Sequence, residues 1–248
     1  HKELVPIQCR QYSLEKKQIE SGVWKTTALV TQDFTQIQFD GGFTQDLIIC
    51  IYTHNSMESD GLERTYRHFV GNTLDKNGIS FVVGCWKVLL EEEWFNEMTR
   101  VNIWSDGGPK HFKISANIRF LLSLQHAQPD REWSYSFFPS YHGCSVCDGV
   151  ASHIKQAVNR EMRDEHKAIR TPEEVVVVGN KLKHHEVSLA TLTSSNLDAN
   201  TLKGIKRYHK FVTSKDKNII YAYNNSTQLE YAHRYLPRDV IGFDDIFV

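Results

Sequence analysis

Val101-Asn102-Ile103-Trp104-Ser105-Asp106-Gly107-Gly108 decides how the chain is read. Residues 101–104 have the apolar character of a short buried strand, which stops at an acid followed by two glycines. In open α/β sheets functional groups gather beyond the carboxyl ends of strands. Glycine there lets the backbone turn tightly beside a ligand. Asp106 is therefore a candidate site residue, and the segments around it follow from that strand. Downstream, Ile114, Ile118, Leu121, Leu122 and Gln125 recur at three- and four-residue steps, which predicts a helix over 112–125. Residues 133–138 read as a strand broken by Pro139. Residues 146–162 are the clearest helix, with Val150, Ile154, Val158 and Met162 four apart.

Upstream, residues 1–22 read as a polar helix that Gly22 ends. Residues 26–39 and 46–53 are rich in β-branched and aromatic side chains and flank Gly41-Gly42, the pattern of an antiparallel hairpin. Residues 62–70 read as a short helix, 79–86 as a third strand and 88–98 as a helix. The resulting order, β-β-β-α-β-α-β-α, implies an α/β fold: an antiparallel three-strand meander plus parallel strands in one mixed sheet flanked by helices. After Thr171-Pro172 the pattern shifts. Residues 175–178 look extended, 186–200 are ambiguous, and 204–235 contain short β-like runs. The expected organisation is an N-terminal helical segment (1–22), a core (23–171) and a small C-terminal β-containing accessory region (172–248).

Composition narrows the class. With 40% hydrophobic and 24% charged residues among 248, the chain can build a core without disulfide support. No run approaches the roughly 20 apolar residues of a membrane helix. The start, His1-Lys2-Glu3-Leu4, has neither an initiator Met nor a signal-peptide pattern and reads as a piece of something longer. Five cysteines, an odd number, suit a reducing intracellular location. The net charge of −1 advertises no global affinity for nucleic acid. Residues 202–217 nevertheless gather Lys203, Lys206, Arg207, Lys210, Lys215 and Lys217 against Asp216, interleaved with Tyr208, His209 and Phe211. That mixture suits a surface tracking a phosphate backbone, and equally a solvated strand pair.

Two further acids join Asp106. Asp33 lies inside the first strand, where a carboxylate is costly unless paired, hydrogen-bonded or bound to metal. Asp148 opens the clearest helix, a position that also suits a plain cap or dipole partner. Asp40 and Asp46 compete with Asp33, although Asp40 abuts the Gly-Gly turn and reads as a turn residue. Phosphodiester chemistry needs one oxygen activated and another stabilised, and two Mg²⁺ ions can do both. Mg²⁺ prefers a few carboxylates plus water and substrate phosphate, so three acids suffice. Cys144-Ser145-Val146-Cys147 has CxxC spacing near His142 and His153, but lacks the second pair a structural zinc site needs. Residues 181–185 (Lys181, Leu182, Lys183, His184 and His185) read as a solvated turn.

The stretch from Trp104 to Lys113 resembles the second-acid motif of eukaryotic DDE/D transposase-like proteins, a strand ending in Ser-Asp-Gly that leads to Phe-Lys. Phe137-Phe138-Pro139-Ser140-Tyr141-His142-Gly143, then Cys147-Asp148-Gly149-Val150 and Ile154-Lys155, is similar to the third motif of that group. Thr31-Gln32-Asp33-Phe34 is similar to its first-acid strand. The resemblance covers roughly residues 1–170 and, more loosely, 204–235. It implies a ribonuclease H-like fold in which Asp33, Asp106 and Asp148 hold Mg²⁺ or Mn²⁺ for DNA cleavage and strand transfer. It further implies transposon-end and target DNA as partners, a homo-oligomer and a nuclear location. Lys113, His142, Lys155, Lys206, Arg207 and Lys210 become candidate DNA contacts. One departure stands out: Cys144 occupies the position of the lysine that usually follows His-Gly, which removes a cation. A stand-alone nuclease of the same fold is an alternative, as is a domesticated, non-catalytic DNA- or protein-binding module.

Overall fold

The computed structural model of the chain describes residues 3–71, 78–108, 112–139, 146–164, 168–190, 202–214 and 218–236. Helix α1 (Leu4–Glu20) leads into a long hairpin, β1 (Thr27–Phe39) and β2 (Gly42–His54). Gly41, at φ +92°, makes the turn between them, a conformation that favours glycine. β3 (Leu62–Val70), α2 (Ile79–Leu90) and the single-turn α3 (Glu93–Asn96) follow. Then come β4 (Arg100–Asp106), α4 (Ser115–Ala127), β5 (Glu132–Phe138) and α5 (Cys147–Asp164). Helix α6 (Pro172–Gly179) and strands β6 (His185–Leu189), β7 (Lys210–Thr213), β8 (Ile220–Tyr223) and β9 (His233–Tyr235) complete the described elements.

Among the described residues the strands form one nine-stranded sheet in the order β6-β3-β2-β1-β4-β5-β7-β8-β9. β1, β2 and β3 are antiparallel neighbours, whereas β1-β4, β4-β5 and β3-β6 are parallel. The fold is therefore α/β, with a mixed sheet flanked by helices. Side chains alternate between the two faces. On one face Val30, Phe34, Ile103 and Tyr135 meet α2 and α4 in the largest core cluster. On the other, α1 lays Tyr12 against Trp104 and Phe138, and α5 lays Cys147, Val150 and Ala151 on Ile48 and Cys50.

The order of elements matches the expectation, but three segments exchange type. Residues 62–70 are the third strand of the meander, not a helix. Their polar side chains find partners distant in sequence, Arg67 with Glu92 before α3 and with Glu186 on β6, and His68 with Asp46 on β2. Residues 79–86 belong to helix α2, not to a strand. Phe81, Val82, Val83, Cys85, Trp86 and Leu89 are all buried, so the helix has no polar stripe to betray its period. The helix expected over 88–98 breaks at Glu91-Glu92 into the end of α2 and the short α3. Residues 175–178 are helical too. Thr171 accepts from the Glu174 backbone N–H, the Glu174 side chain returns to the Thr171 N–H, and Pro172 opens the helix.

Candidate functional site

β1 and β4 run parallel with Gln32 opposite Ser105 as their last paired residues. The next residues, Asp33 and Asp106, therefore stand side by side where the two strands part. The parallel β1–β4 pairing ends there, at the carboxyl end of β4, the kind of position at which α/β sheets place ligands. A shared network braces the strands one step before the acids. The Tyr135 hydroxyl receives hydrogen bonds from Gln32, Ser105 (3.1 Å) and Asn117 (2.9 Å), and Gln32 also accepts from Trp86 at 2.9 Å. This network lies on the α2–α4 face, so alternation turns Asp33 and Asp106 to the opposite face, the side of α1 and α5.

Helix α5 begins on that face. The Cys147 thiol donates to the Thr31 carbonyl at 3.5 Å and lies 3.7 Å from the Cys50 sulfur, which seats the first turn over β1 and β2. Asp148, the next residue, is exposed in that turn. Asp33 feels the other two acids. Burial raises the Asp33 carboxyl to about 6, opposed by a hydrogen bond from the Phe34 N–H at 2.8 Å and reinforced by the charges of Asp106 and Asp148. Asp106 Oδ2 accepts from the Gly108 N–H at 3.2 Å, while its Oδ1 is buried with no hydrogen-bond partner among the described residues. A side chain at Gly108 would bring its Cβ to 2.8 Å from Asp106 Oδ2 and so displace that carboxylate oxygen.

Among the described residues no group of three or more His, Cys, Asp or Glu side chains forms a ready-made metal cage. The donor set is instead a carboxylate pair with a third acid on a helix. That chemistry suits Mg²⁺, which keeps waters and takes substrate oxygens as its remaining ligands.

The basic candidates separate. Lys113 precedes α4 and is only 4% exposed, so it is not the solvated helix lysine its position suggests. Its Nζ lies 3.5 Å from His209 Nε2 and 5.6 Å from the Phe137 ring centroid. Burial lowers the ammonium pKa to about 8 despite the attraction of Asp106. His209, which the sequence did not single out as a site residue, is held at about 4 by burial and by Lys113, and its Nδ1 is buried without a partner among the described residues. Lys155 is half-buried on α5; Lys206 and Arg207 are exposed on a 3-10 turn (Ile205–Arg207); Lys210 is half-buried on β7. His142, Cys144, Lys215 and Lys217 lie outside the described residues.

The rivals of Asp33 have other roles. Asp40 is exposed at the hairpin turn, and its backbone N–H donates to the Ile169 carbonyl. Asp46 is fully buried and bound to His68. His185, expected in a solvated turn, is instead buried at the start of β6.

Comparison with known proteins adds a family without a function. No curated protein matches the chain. The match to a family model runs over residues 48–225, a span that includes Asp106 and Asp148 and begins after Asp33. The chain thus belongs to the family described as a domain of unknown function (DUF8701).

Proposed function

We propose that the chain is a DDE/D-type phosphoryl-transfer core on a ribonuclease H-like sheet, cutting DNA and joining the freed 3′ hydroxyl to a target strand. An antiparallel meander that runs into parallel strands supports the fold reading. One observation carries the functional reading. Asp33 and Asp106 stand where the parallel pairing of β1 and β4 ends, with the first turn of α5 and its Asp148 seated over the same face. Asp33 is buried with its carboxyl raised to about 6, and Asp106 Oδ1 has no hydrogen-bond partner among the described residues, as suits a pair awaiting a divalent cation.

Asp33, Asp106 and Asp148 would hold the divalent ions. The chemistry such ions supply is activation of the attacking oxygen and stabilisation of the leaving one. The remaining work falls to the protein's own groups. Tyr135, tied to Gln32, Ser105 and Asn117, holds β1 and β4 at a fixed spacing and so fixes the two strand carboxylates. Lys113 contributes a buried cation within the field of Asp106, suited to a phosphate oxygen. Lys206 and Arg207, exposed, suit contacts to the DNA backbone farther out.

Nicking of supercoiled plasmid in Mg²⁺ or Mn²⁺ tests the reading. Metal-dependent nicking that disappears in Asp106→Ala is expected, with joined product in a strand-transfer assay. Nicking without joining would mark a stand-alone nuclease. No nicking with either ion would overturn the enzymatic reading and leave a non-catalytic binding module.

A further inference from the structure

A second polar system crosses the sheet. Asp46 Oδ2 on β2 is 2.8 Å from His68 Nδ1 on β3, and His68 Nε2 is 2.9 Å from His185 Nδ1 on β6. His185 Nε2 in turn is 3.2 Å from Nδ1 of His153 on α5. Asp46 and His68 are fully buried, His185 is nearly so, and His153 is exposed. Four elements are thus joined by three consecutive hydrogen bonds that begin at a buried carboxylate and end in solvent.

Hydrogen-bond accounting fixes the direction. A carboxylate only accepts, and a neutral imidazole has one N–H and one lone pair. His68 must therefore donate from Nδ1 and accept at Nε2. That obliges His185 to donate from Nδ1, and the same rule obliges His153 to do so. His153 Nε2 is left as a lone pair facing water. The inner end has the opposite need. Asp46 Oδ1 is buried without a partner among the described residues, and a bare carboxylate at such a site is costly unless a counter-charge reaches it.

We infer that Asp46, His68, His185 and His153 form a one-proton relay that ties α5 to the β3–β6 edge and opens only when a second proton enters. The transfer balances. Solvent gives a proton to His153 Nε2, and His153 releases its Nδ1 proton to His185 Nε2. His185 releases its Nδ1 proton to His68 Nε2. His68 becomes an imidazolium against the Asp46 carboxylate, while the outer rings end neutral with their protons on the other nitrogen. All three hydrogen bonds survive, reversed at the two His–His contacts. A second proton leaves two N–H groups facing each other across one of those contacts, and the link breaks.

The surroundings favour the singly loaded state. The Tyr66 ring packs 5.3 Å from the His185 ring, and His184 adds a like charge beside it. Burial, then His68, His153 and His184, lower His185 to about 4, so it resists becoming a second cation. The Cys50 and Cys85 thiols lie within the field of Asp46 and supply no cation, and Arg67 on β3 is engaged by Glu92 and Glu186. The inference is independent of the phosphoryl-transfer reading, although the helix it anchors also carries Asp148.

Long-range ¹H–¹⁵N spectra of the histidine rings in the full chain, titrated from about pH 8 to about pH 5, test it. The expected result is Nδ1–H tautomers in all three rings at high pH, then one shared step in which the rings shift together and His68 becomes the imidazolium. His153→Ala should leave the fold intact, since His153 is exposed, and slow solvent exchange of the His68 ring proton severalfold. Asp46→Asn should abolish the shared step. Rings that titrate independently, or an unchanged exchange rate in His153→Ala, would overturn the relay whether or not Asp46→Asn folds.

Discussion

Replacing Asp33 by Asn should stabilise the metal-free protein at neutral pH, against the usual effect of altering a strand residue. Asn keeps an oxygen for the Phe34 N–H and removes a half-buried charge beside Asp106 and Asp148. The Asp33 carboxyl rises from 3.8 to about 6, first through burial and then through its acidic neighbours. About two pKa units at about 1.4 kcal/mol each correspond to about 3 kcal/mol of strain at neutral pH. Because the folded pKa lies above the unfolded one, the native state binds the extra proton between those values. Wild-type stability therefore falls as pH rises through about 6, and the advantage of Asp33→Asn grows over the same interval. Urea denaturation in chelator at several pH values measures the difference. For a chain of this size, about 3 kcal/mol corresponds to a midpoint rise of about 6–12 °C in a thermal melt. A variant less stable than wild type at neutral pH, or an offset that does not change with pH, would refute the crowding of the three acids.

Other perturbations probe the rest of the site. Lys113→Met should raise stability by up to about 3 kcal/mol at neutral pH, since a buried ammonium with its pKa lowered to about 8 is a standing cost; the gain should fade above that pH, while DNA affinity measured by fluorescence anisotropy drops. Tyr135→Phe leaves Gln32, Ser105 and Asn117 without their common acceptor and should lower unfolding free energy by about 2–4 kcal/mol in urea titrations. His185 and His209 both have folded pKa values lowered from 6.5 to about 4. The unfolded chain takes up protons there first, so stability should fall as pH drops from about 6.5 toward about 4, and His209→Gln should flatten that slope.

Much of this was legible in the sequence because some signals are local. The strand ending at Asp106 shows as an apolar run stopped by glycines, and α5 shows through Val150, Ile154 and Val158 on a single buried stripe. The third strand and α2 exchanged identities because their signals are tertiary. His68 and Arg67 look like surface polarity until their partners are seen, Asp46 and Glu186 on neighbouring strands and Glu92 before α3. A helix buried over six consecutive residues, 81–86, resembles a buried strand at the level of composition. The α6 start was readable, since Thr171, Pro172 and Glu174 form a capping box, but the valine run that follows outweighed it. Asp33 is visible as an acid in a strand. Its neighbours Asp106 and Asp148 lie far along the chain, and only the parallel β1–β4 pairing and the seat of α5 bring them near. The histidine relay had no sequence signal, because its members come from four elements with no shared spacing.

The most direct measurement is Mn²⁺ binding by electron paramagnetic resonance, with a short DNA duplex present, in wild type and in Asp106→Ala. Wild-type protein should take up Mn²⁺ and release it to Mg²⁺, and Asp106→Ala should lose that binding while retaining the wild-type fold by circular dichroism. Mn²⁺ binding that is absent in wild type, or unchanged in Asp106→Ala, would contradict the assignment of Asp33, Asp106 and Asp148 as a divalent-metal site.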